Sequence, residues 1–368
     1  MKYFIIAGEA SGDLHGSNLI DALKHYDSKA EFMFWGGDKM ADASGISPAK
    51  HISDLAIMGF IEVIINLGKI KKNFNQCKSQ ISDYKPDAVI FIDFPGFNLR
   101  ISPFVRKLGI STYYYISPKV WAWKKKRVYK IIKSIDVLYS ILPFEVEFYK
   151  QFNYPIKYIG NPLMDEIDKF KKENPAISKP KKLIAMLPGS RDQELQRMLP
   201  IMIDVADKIE NYDFIIAGAP NFDKSYYESF FKKRHYKIEF NKTYSILSEA
   251  ESAMVTSGTA TLETALFNVP QVVCYKANSI SYVIAKNLVK IKYISLVNLI
   301  LNKAAIVELI QYDMNPTQLH QELINTLEGG KKRKQILTDY SILQELVGGP
   351  GASKRAAEDI FNRESEKQ

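Results

Sequence analysis

The sequence contains little cysteine, little arginine and no long apolar run. Its 368 residues include two cysteines, Cys77 and Cys274, each within an apolar stretch and without a CxxC pair or zinc spacing. A disulfide scaffold or a thiolate metal site is therefore not expected, and a reducing compartment fits. No stretch of about 18 uncharged apolar residues occurs, so no transmembrane helix is expected. The apolar run 3–7 is too short for a signal peptide because Glu9 follows it, so we expect a cytoplasmic protein.

The composition is that of a folded protein with a basic excess. Hydrophobic residues make up 46% and charged residues 25% of the chain, and at about 150 residues per domain the length predicts two domains. The net charge is +9, and lysine dominates because only nine of the 50 basic residues are arginine. Such an excess reflects either genome composition or an acidic partner, namely nucleic acid, an anionic membrane or a phosphorylated substrate.

Short apolar runs alternate with longer amphipathic ones, which is typical of βαβ units and a parallel sheet. A polar, proline-containing segment at 171–182 interrupts the alternation and predicts a linker. We therefore expect two Rossmann-like α/β domains, 1–170 and 183–345, facing across a cleft, and a helical C-terminus, 346–368. The predicted strands are 3–7, 31–35, 87–93, 111–116, 136–141, 157–159, 183–187, 213–217, 252–255 and 271–275. The predicted helices are 14–25, 101–108, 193–209 and one that begins at Thr259.

The first strand leads into a glycine-containing loop, 8–13 (GEASGD), that precedes a helix. Glycine lets the backbone approach a ligand, and a helix N-terminus favours negative charge. Glu9, Ser11, Asp13 and His15 cluster here and are candidate ligand-binding residues, with a plain tight turn as the alternative. The loop is not GxGxxG, and the next strand ends in Trp35 and two glycines instead of an acidic residue, which argues against NAD.

Asp93 ends a predicted buried strand, and Pro95 and Gly96 turn the chain directly after it. A carboxylate at the carboxyl end of a parallel strand faces the ligand-binding edge, so we predict that Asp93 is a general base. The alternative is a turn or helix-capping aspartate, in which case Asp13 or His15 becomes the leading candidate.

Two loops of the second half have the composition of phosphate sites. The loop 187–191 (LPGSR) opens a helix, where backbone N–H groups and the Arg191 guanidinium suit a phosphate. In the segment 256–263 (TSGTATLE), the hydroxyls of Ser257 and Thr259 are donors for phosphate oxygens, and Glu263 is a candidate acceptor for ribose hydroxyls. The alternatives are a surface arginine and an ordinary helix cap.

The segment 113–133 combines aromatic and basic side chains, which suits a membrane interface or nucleic-acid stacking. An apolar stretch at 58–67 is followed by lysines, and core packing is the alternative for both stretches. The remaining histidines show no ligand spacing, so no metal is assigned. The candidate membrane or acceptor residues are Trp121, Trp123, Lys124, Lys125, Lys126 and Arg127.

Eight motifs in order resemble the lipid-A-disaccharide synthases, inverting glycosyltransferases of lipid A assembly, over nearly the whole chain. None of the eight is specific alone. They are IAGEASGDLHG (6–16), MGFIEV (58–63), IDFPGFN (92–98), YYISPKVWAWKKKR (114–127), ILPFE (141–145), LPGSR (187–191), TSGTATLE (256–263) and YISLVNL (293–299).

This resemblance implies the GT-B architecture, no metal and no cofactor. It implies a UDP-activated 2,3-diacylglucosamine donor, a 2,3-diacylglucosamine 1-phosphate acceptor, and peripheral association with the anionic inner membrane surface; it leaves a homodimer open. Asp93 matches the motif carboxylate of catalysis, and Ser11 faces the UDP side of the cleft. The residues that match the UDP side are Arg191, Ser257, Glu263 and Asn298.

The chain departs from the family pattern at three positions. Gly96 stands where many members have a second aspartate, Asn161 where a histidine is common, and Val297 where a proline is common. Two other function classes remain. A UDP-sugar epimerase on the same architecture would have no use for a tryptophan-lysine patch. A basic RNA-binding module would need a contiguous arginine stripe that this chain lacks, so no nucleic-acid partner is expected.

Overall fold

A computed structural model of the protein describes residues 1–55, 67–123, 125–175, 182–278 and 292–367. The chain divides into two compact units. Unit 1 comprises Met1–Pro162 together with Pro350–Gln368, and unit 2 comprises Leu163–Gly349. No helix in the described part of the chain is both long and apolar enough to cross a bilayer.

Unit 1 is built on a seven-stranded sheet in which all paired strands are parallel. The spatial order is β3-β2-β1-β4-β5-β6-β7. The strands are β1 (Lys2–Ile6), β2 (Glu31–Gly36), β3 (Lys50–His51), β4 (Ala88–Ile92), β5 (Ser111–Tyr115), β6 (Val137–Ser140) and β7 (Lys157–Tyr158). The α-helices are α1 (Ala10–Tyr26), α2 (Asp38–Ser44), α3 (Leu67–Tyr84), α4 (Pro95–Lys107), α5 (Val120–Trp123), α6 (Val128–Ser134) and α7 (Phe144–Lys150). Short 3₁₀ turns lie at Ile52–Asp54 and Lys125–Arg127.

Unit 2 is built on a six-stranded parallel sheet of order β10-β9-β8-β11-β12-β13. Its strands are β8 (Leu183–Leu187), β9 (Asp213–Gly218), β10 (Lys237–Phe240), β11 (Ser252–Thr256), β12 (Gln271–Tyr275) and β13 (Val307–Ile310). Its helices are α8 (Leu163–Glu173), α9 (Asp192–Ala206), α10 (Lys224–Glu228), α11 (Thr243–Glu249), α12 (Thr259–Leu266), α13 (Leu296–Leu301), α14 (Pro316–Ile324) and α15 (Arg333–Val347). The last helix of the chain, α16 (Ala352–Ser365), belongs to unit 1.

The central strands are mostly apolar and buried, as is typical of parallel sheets that are covered on both faces. All five residues of β4 are buried. In β1, Tyr3 and Ile5 join the core on one face, whereas Phe4 and Ile6 join the core on the other. The predicted fold class, two α/β sheets followed by a helical C-terminus, is confirmed.

The predicted strands agree with the observed strands to within a residue or two, but several elements differ. The sequence analysis missed β3, β10 and β13, which are two to four residues long and lie at sheet edges. The helix predicted at 101–108 begins at Pro95, two residues after Asp93. The first three residues of the predicted linker complete the last turn of α8. The apolar motif 58–63 and linker residues 176–181 lie outside the described residues.

The C-terminal helix α16 returns to unit 1 and closes one face of its sheet. Ala356, Ala357 and Ile360 are fully buried in the core that also contains Leu19 of α1. The Glu364 carboxylate accepts hydrogen bonds from the hydroxyls of Ser111 and Tyr113, some 250 residues earlier in the chain. Unit 1 is therefore completed only by the end of the chain.

Candidate functional site

The carboxyl ends of β1, β4, β5 and β6 meet at one edge of the first sheet, where four charged side chains follow them. Glu9 follows β1, Asp93 follows β4, Lys119 follows β5 and Glu145 follows β6. Ligands of parallel α/β sheets bind at this edge. The edge therefore defines the candidate site of unit 1.

A sharp, strained turn holds Asp93. Asp93 and the next residue, Phe94, both have left-handed backbone angles, φ +40° and +48°, which cost about 1–2 kcal/mol per non-glycine residue. The Asp93 carbonyl accepts a hydrogen bond from Asn98 Nδ2 at 2.8 Å and another from the Tyr114 hydroxyl. The turn requires glycine at position 8, because the Cβ of any other residue would lie 2.3 Å from the Phe94 ring. Non-glycine strain of this kind is concentrated at functional sites.

The environment of the Asp93 side chain favours its protonated form. Burial and the nearby Glu9 charge raise the pKa of Asp93 above its usual value, while Lys119 and the Phe94 backbone N–H act in the opposite direction. A carboxylate with raised proton affinity is a better general base near neutral pH than an exposed one. The direction of this shift agrees with a general base, and the role of Asp93 stays a prediction.

The first glycine loop contributes differently. Asp13 is buried, and its carboxylate accepts hydrogen bonds from the backbone N–H groups of Gly37, Lys39 and Met40 at 2.7–3.1 Å. These bonds cap α2, so Asp13 acts as a helix cap within the fold. Ser11 is exposed in the first turn of α1, and His15 is half-buried in the same helix.

Trp121 of the aromatic-basic segment is anchored inward. Its ring is half-buried and packs edge-on against Phe144, with 4.9 Å between ring centroids. Its indole N–H donates to the buried Glu145 carboxylate at 2.9 Å. Lys126 is exposed and Arg127 is half-buried. Lys124, and the side chains of Trp123 and Lys125, lie outside the part that the structure describes.

A basic face on α4 and α6 extends this segment. The sequence analysis singled out 113–133, which includes α6, but not Arg106 and Lys107 of α4. It surrounds a cavity of about 480 Å³, and Tyr129 on it is 60% exposed. Burial and the charges of Arg100 and Arg127 lower the pKa of Lys130, which shows how closely the cations cluster. No acidic residue occurs between positions 94 and 135, a signal that was legible in the sequence. The basic lining residues are Arg106, Lys107, Lys126, Lys130 and Lys133.

In unit 2, the loop after β8 presents Arg191 to solvent. The Arg191 side chain is 80% exposed, and its guanidinium contacts Glu194 at 3.0 Å. The Glu194 carboxylate also accepts from the backbone N–H groups of Ser190 and Arg191 at 3.0 and 3.3 Å. Gly189, at φ +108°, makes room for that carboxylate because a Cβ would lie 2.4 Å from it. An anion at these N–H groups would therefore have to replace Glu194.

The segment 256–263 lies beside the Arg191 loop because β8 and β11 are adjacent. Ser257 is half-buried and its hydroxyl donates to the Ile294 carbonyl at 3.0 Å. Thr259 is exposed at the start of α12. Burial raises the pKa of Glu263, whose carboxylate accepts from the Tyr244 hydroxyl at 3.1 Å. The structure thus brings together three of the residues predicted for UDP with Arg191 at one edge.

Asn298 lies in α13 and is buried with its amide fully used inside the fold. Its Nδ2 donates to the Ile306 carbonyl and to Glu308, and its Oδ1 accepts from the backbone N–H groups of Ala305 and Ile306, at 2.8–3.0 Å. These bonds hold the connection from α13 to β13. A direct contact between Asn298 and UDP stays a prediction.

The three departures from the family pattern lie in different surroundings. Gly96 is exposed near the start of α4, with open space where a side chain would be. Asn161 is buried, and its amide donates to the Ile141 carbonyl at 3.2 Å. Val297 is fully buried. Among the described residues, no group of three or more histidine, cysteine or acidic side chains is arranged to hold a metal ion.

Comparison with known sequences gives a consistent relationship over the full length. Residues 3–357 match the family model described as lipid-A-disaccharide synthetase. The chain is 35% identical over 365 residues to the lipid-A-disaccharide synthase of Syntrophus aciditrophicus, covering 96% of this chain and 95% of that protein. It is 34% identical to the enzyme of the same name from Nitrosococcus oceani, with coverage of 96% and 94%.

Comparison with solved structures identifies the same fold at low sequence identity. A protein from Listeria monocytogenes described as a putative UDP-N-acetylglucosamine 2-epimerase superposes with a TM-score of 0.66 at 14% identity, covering 99% of this chain and 97% of that one. A glycotransferase of kitacinnamycin superposes equally well, with a TM-score of 0.66, 14% identity and coverage of 99% and 98%. At this identity the likeness concerns the fold alone.

Proposed function

The chain belongs to the lipid-A-disaccharide synthase family, and from that membership we propose how its two units divide the reaction. It is a hexosyltransferase of lipid A assembly. The reaction moves 2,3-diacylglucosamine from its UDP-activated form to the 6-hydroxyl of 2,3-diacylglucosamine 1-phosphate, which gives lipid A disaccharide 1-phosphate and UDP.

The observation that carries the proposal for unit 1 is the turn that holds Asp93. The acceptor 6-hydroxyl loses a proton as its oxygen attacks the anomeric carbon from the face opposite UDP, so the configuration inverts. Asp93 takes that proton. Its raised pKa, caused by burial and by Glu9, supports the assignment, and so does the strained backbone that fixes its direction.

Unit 2 binds UDP in this proposal. As the bond to the sugar breaks, the departing diphosphate gains negative charge, which a cation and helix N-termini stabilise. Arg191 supplies the cation, and Ser257 and Thr259 at the neighbouring strand end supply donors. Glu263 accepts hydrogen bonds from the ribose hydroxyls. Its half-buried side chain lies one turn into α12, which supports this assignment. Ser11 of unit 1 and Asn298 complete the predicted set of contacts.

Both substrates bear acyl chains and phosphate, and the basic face of α4 and α6 supports contact with an anionic membrane. Cations near such a surface each contribute about 1 kcal/mol. In this proposal the exposed Tyr129 ring and the residues Trp121–Arg127 also contribute to the membrane contact. The protein would then act at the cytoplasmic face of the inner membrane. A homodimer stays a prediction that light scattering can test.

The test of the proposed function is product formation with and without acceptor. The protein is incubated with the UDP-activated diacylglucosamine, and lipid and nucleotide products are separated by chromatography. A transferase releases UDP and forms the disaccharide only when the diacylglucosamine 1-phosphate is present. Isomerised UDP-sugar in the absence of acceptor would contradict the proposal and favour an epimerase. The epimerase alternative is supported only by the likeness of fold.

A further inference from the structure

Glu145 is a buried carboxyl group that the proposed chemistry does not use. It lies in the first turn of α7, directly after β6, and its exposed fraction is 0%. Its carboxyl oxygens contact the Trp121 indole N–H at 2.9 Å and the Ser140 hydroxyl. Burial raises the pKa of Glu145 to about 7. A buried carboxyl group is expected to have a structural or functional reason for its position.

The hydrogen bonds around Ser140 agree with a neutral Glu145. The single hydroxyl hydrogen of Ser140 has two candidate acceptors, the Leu142 carbonyl at 2.8 Å and Glu145 Oε2. If Glu145 is protonated, its own O–H donates to Ser140 Oγ, and the Ser140 hydrogen is free for Leu142. With Glu145 protonated, the Ser140 hydroxyl can donate to Leu142; with Glu145 ionised, its carboxylate and the Leu142 carbonyl compete for that hydrogen. The hydrogen bonds from Ser140 and Trp121 act in the opposite direction and lower the pKa of Glu145, but burial is the larger effect.

Glu145 and Asp93 share one charged neighbour, Lys119. The exposed Lys119 ammonium acts on both carboxyl groups and lowers the pKa of each. Trp121 follows Lys119 by two residues, so the bond from the indole to Glu145 also restrains the backbone that presents the ammonium. The ring contact between Trp121 and Phe144 is a second restraint on the same short segment.

We propose that Glu145 is a positioning residue for the acceptor. It holds Trp121 so that the exposed part of the ring supports the acceptor sugar, and it thereby places Lys119 where its charge can meet the acceptor phosphate. The inference rests on the proposed transferase function and names residues that the reaction scheme did not include. Tyr149, one turn further along α7, is a further titratable group that interacts with Glu145.

The pH dependence has a defined sign. Below about pH 7 Glu145 is mainly neutral and attracts Lys119 less. In this proposal the Lys119 ammonium is then available to the acceptor phosphate. Above that pH the ionised Glu145 attracts Lys119, so the Michaelis constant for the acceptor should rise. Glu145→Gln imitates the neutral form and should lose this dependence.

The first experiment requires no activity. Tryptophan fluorescence of the full chain is titrated between about pH 5 and 9, and the Trp121→Phe variant shows which part of the signal belongs to Trp121. We expect a midpoint near pH 7 that disappears in Glu145→Gln. A titration that is the same in wild type and Glu145→Gln, or no Trp121 signal in this range, would overturn the proposed contact.

The second experiment separates acceptor from donor. Glu145→Ala should raise the acceptor KM by about tenfold or more, as expected for loss of a buried hydrogen-bonded group, with UDP affinity changed less than about twofold. Trp121→Phe keeps an aromatic side chain but replaces the indole by a smaller ring without an N–H donor, so it should raise the acceptor KM by about three- to tenfold even if Glu145→Ala does not fold. Glu147→Gln, on the same helix with a side chain 73% exposed, is the matched control.

Each outcome has a defined meaning. Unchanged acceptor KM in Trp121→Phe and in folded Glu145→Ala would refute the positioning role. Equal losses for acceptor and donor would also refute it, because a general loss of structure is not specific to one substrate. Absence of any transfer by the wild-type protein would instead count against the proposed function, and the fluorescence titration would still report on the contact between Glu145 and Trp121.

Discussion

The two units have parallel sheets of the same kind, yet their carboxyl edges have different chemistry. At the edge of unit 1, Asp93 and Glu145 are carboxyl groups whose pKa values are raised mainly by burial. The edge of unit 2 also has a carboxyl group with a raised pKa, Glu263, but it adds a cation, Arg191, that is exposed to solvent. Proton transfer needs groups with altered proton affinity, whereas binding a soluble diphosphate needs an accessible cation. This difference supports the proposed division, in which unit 1 performs the proton chemistry and unit 2 holds the nucleotide.

The largest expected effect tests unit 1. Asp93→Asn keeps the size and polarity of the side chain but cannot accept the proton, so single-turnover transfer should fall by about 100- to 10,000-fold. UDP affinity and melting temperature should change little, because all the proposed UDP residues except Ser11 lie in unit 2. Near-wild-type transfer rates across pH would remove Asp93 from the mechanism and erase the contrast between the units.

The basic face of unit 1 gives the next effect. Neutralising four of its lysines to glutamine should weaken sedimentation with anionic vesicles by up to about 1,000-fold, at about 1 kcal/mol per charge, and salt should weaken wild-type binding. The lysines are Lys107, Lys126, Lys130 and Lys133. The control is a fourfold variant of exposed lysines in unit 2, namely Lys208, Lys233, Lys331 and Lys334. Equal losses in both variants, or binding that ignores salt, would show that the face has no special role.

Unit 2 is tested by removing its cation. Arg191→Ala should weaken UDP binding by about 10- to 150-fold, since a hydrogen bond to a charged group contributes about 1.5–3 kcal/mol. Isothermal titration calorimetry with UDP measures this directly. Lys224→Ala, which removes an exposed charge elsewhere in the unit, should leave the affinity unchanged. Unchanged UDP affinity in Arg191→Ala would show that the nucleotide is bound elsewhere.

The smallest effect concerns Glu194, whose carboxylate now occupies the backbone N–H groups of the Arg191 loop. Glu194→Gln removes the competing negative charge and should tighten UDP binding by about two- to fivefold, the range of a weak surface charge interaction. Glu228→Gln, at an exposed acidic residue elsewhere in unit 2, is the control. Weaker UDP binding in Glu194→Gln would mean that the carboxylate helps to orient Arg191 instead of competing with the diphosphate.

The sequence predicted much of the fold because the strongest signals are local. Buried strands of a parallel sheet are continuous apolar runs, and 183–187 and 271–275 were predicted with the bounds that β8 and β12 have. The short edge strands β3 and β13 were missed because two to four residues with mixed burial show no clear pattern. The site residues Asp93 and Arg191 could be predicted for the same reason, because each lies shortly after a strand that the local pattern identifies.

Other site features depend on contacts between distant parts of the chain. The sequence placed Asp13 and His15 as alternatives to Asp93, but the capping of α2 by Asp13 arises only when β1 and β2 are side by side. In the sequence, Glu145 appeared only as part of a resemblance motif. Its hydrogen bond to Trp121 joins the segment after β5 to the segment after β6, and such a contact forms only in the folded chain. The inward anchoring of Trp121 is invisible for the same reason.

By itself, the sequence determined the class of the protein: two parallel α/β halves, phosphate-type loops at strand ends, and family membership through ordered motifs. Only the tertiary structure decided that the last helix completes unit 1 through Glu364, that Trp121 is anchored on Glu145, and that Lys119 acts on two carboxyl groups. Apolar periodicity and turn residues act over a few neighbours, so they can be seen in one dimension. Burial, shared charges and hydrogen-bond competition depend on which distant segments pack together, and packing exists only in the folded chain.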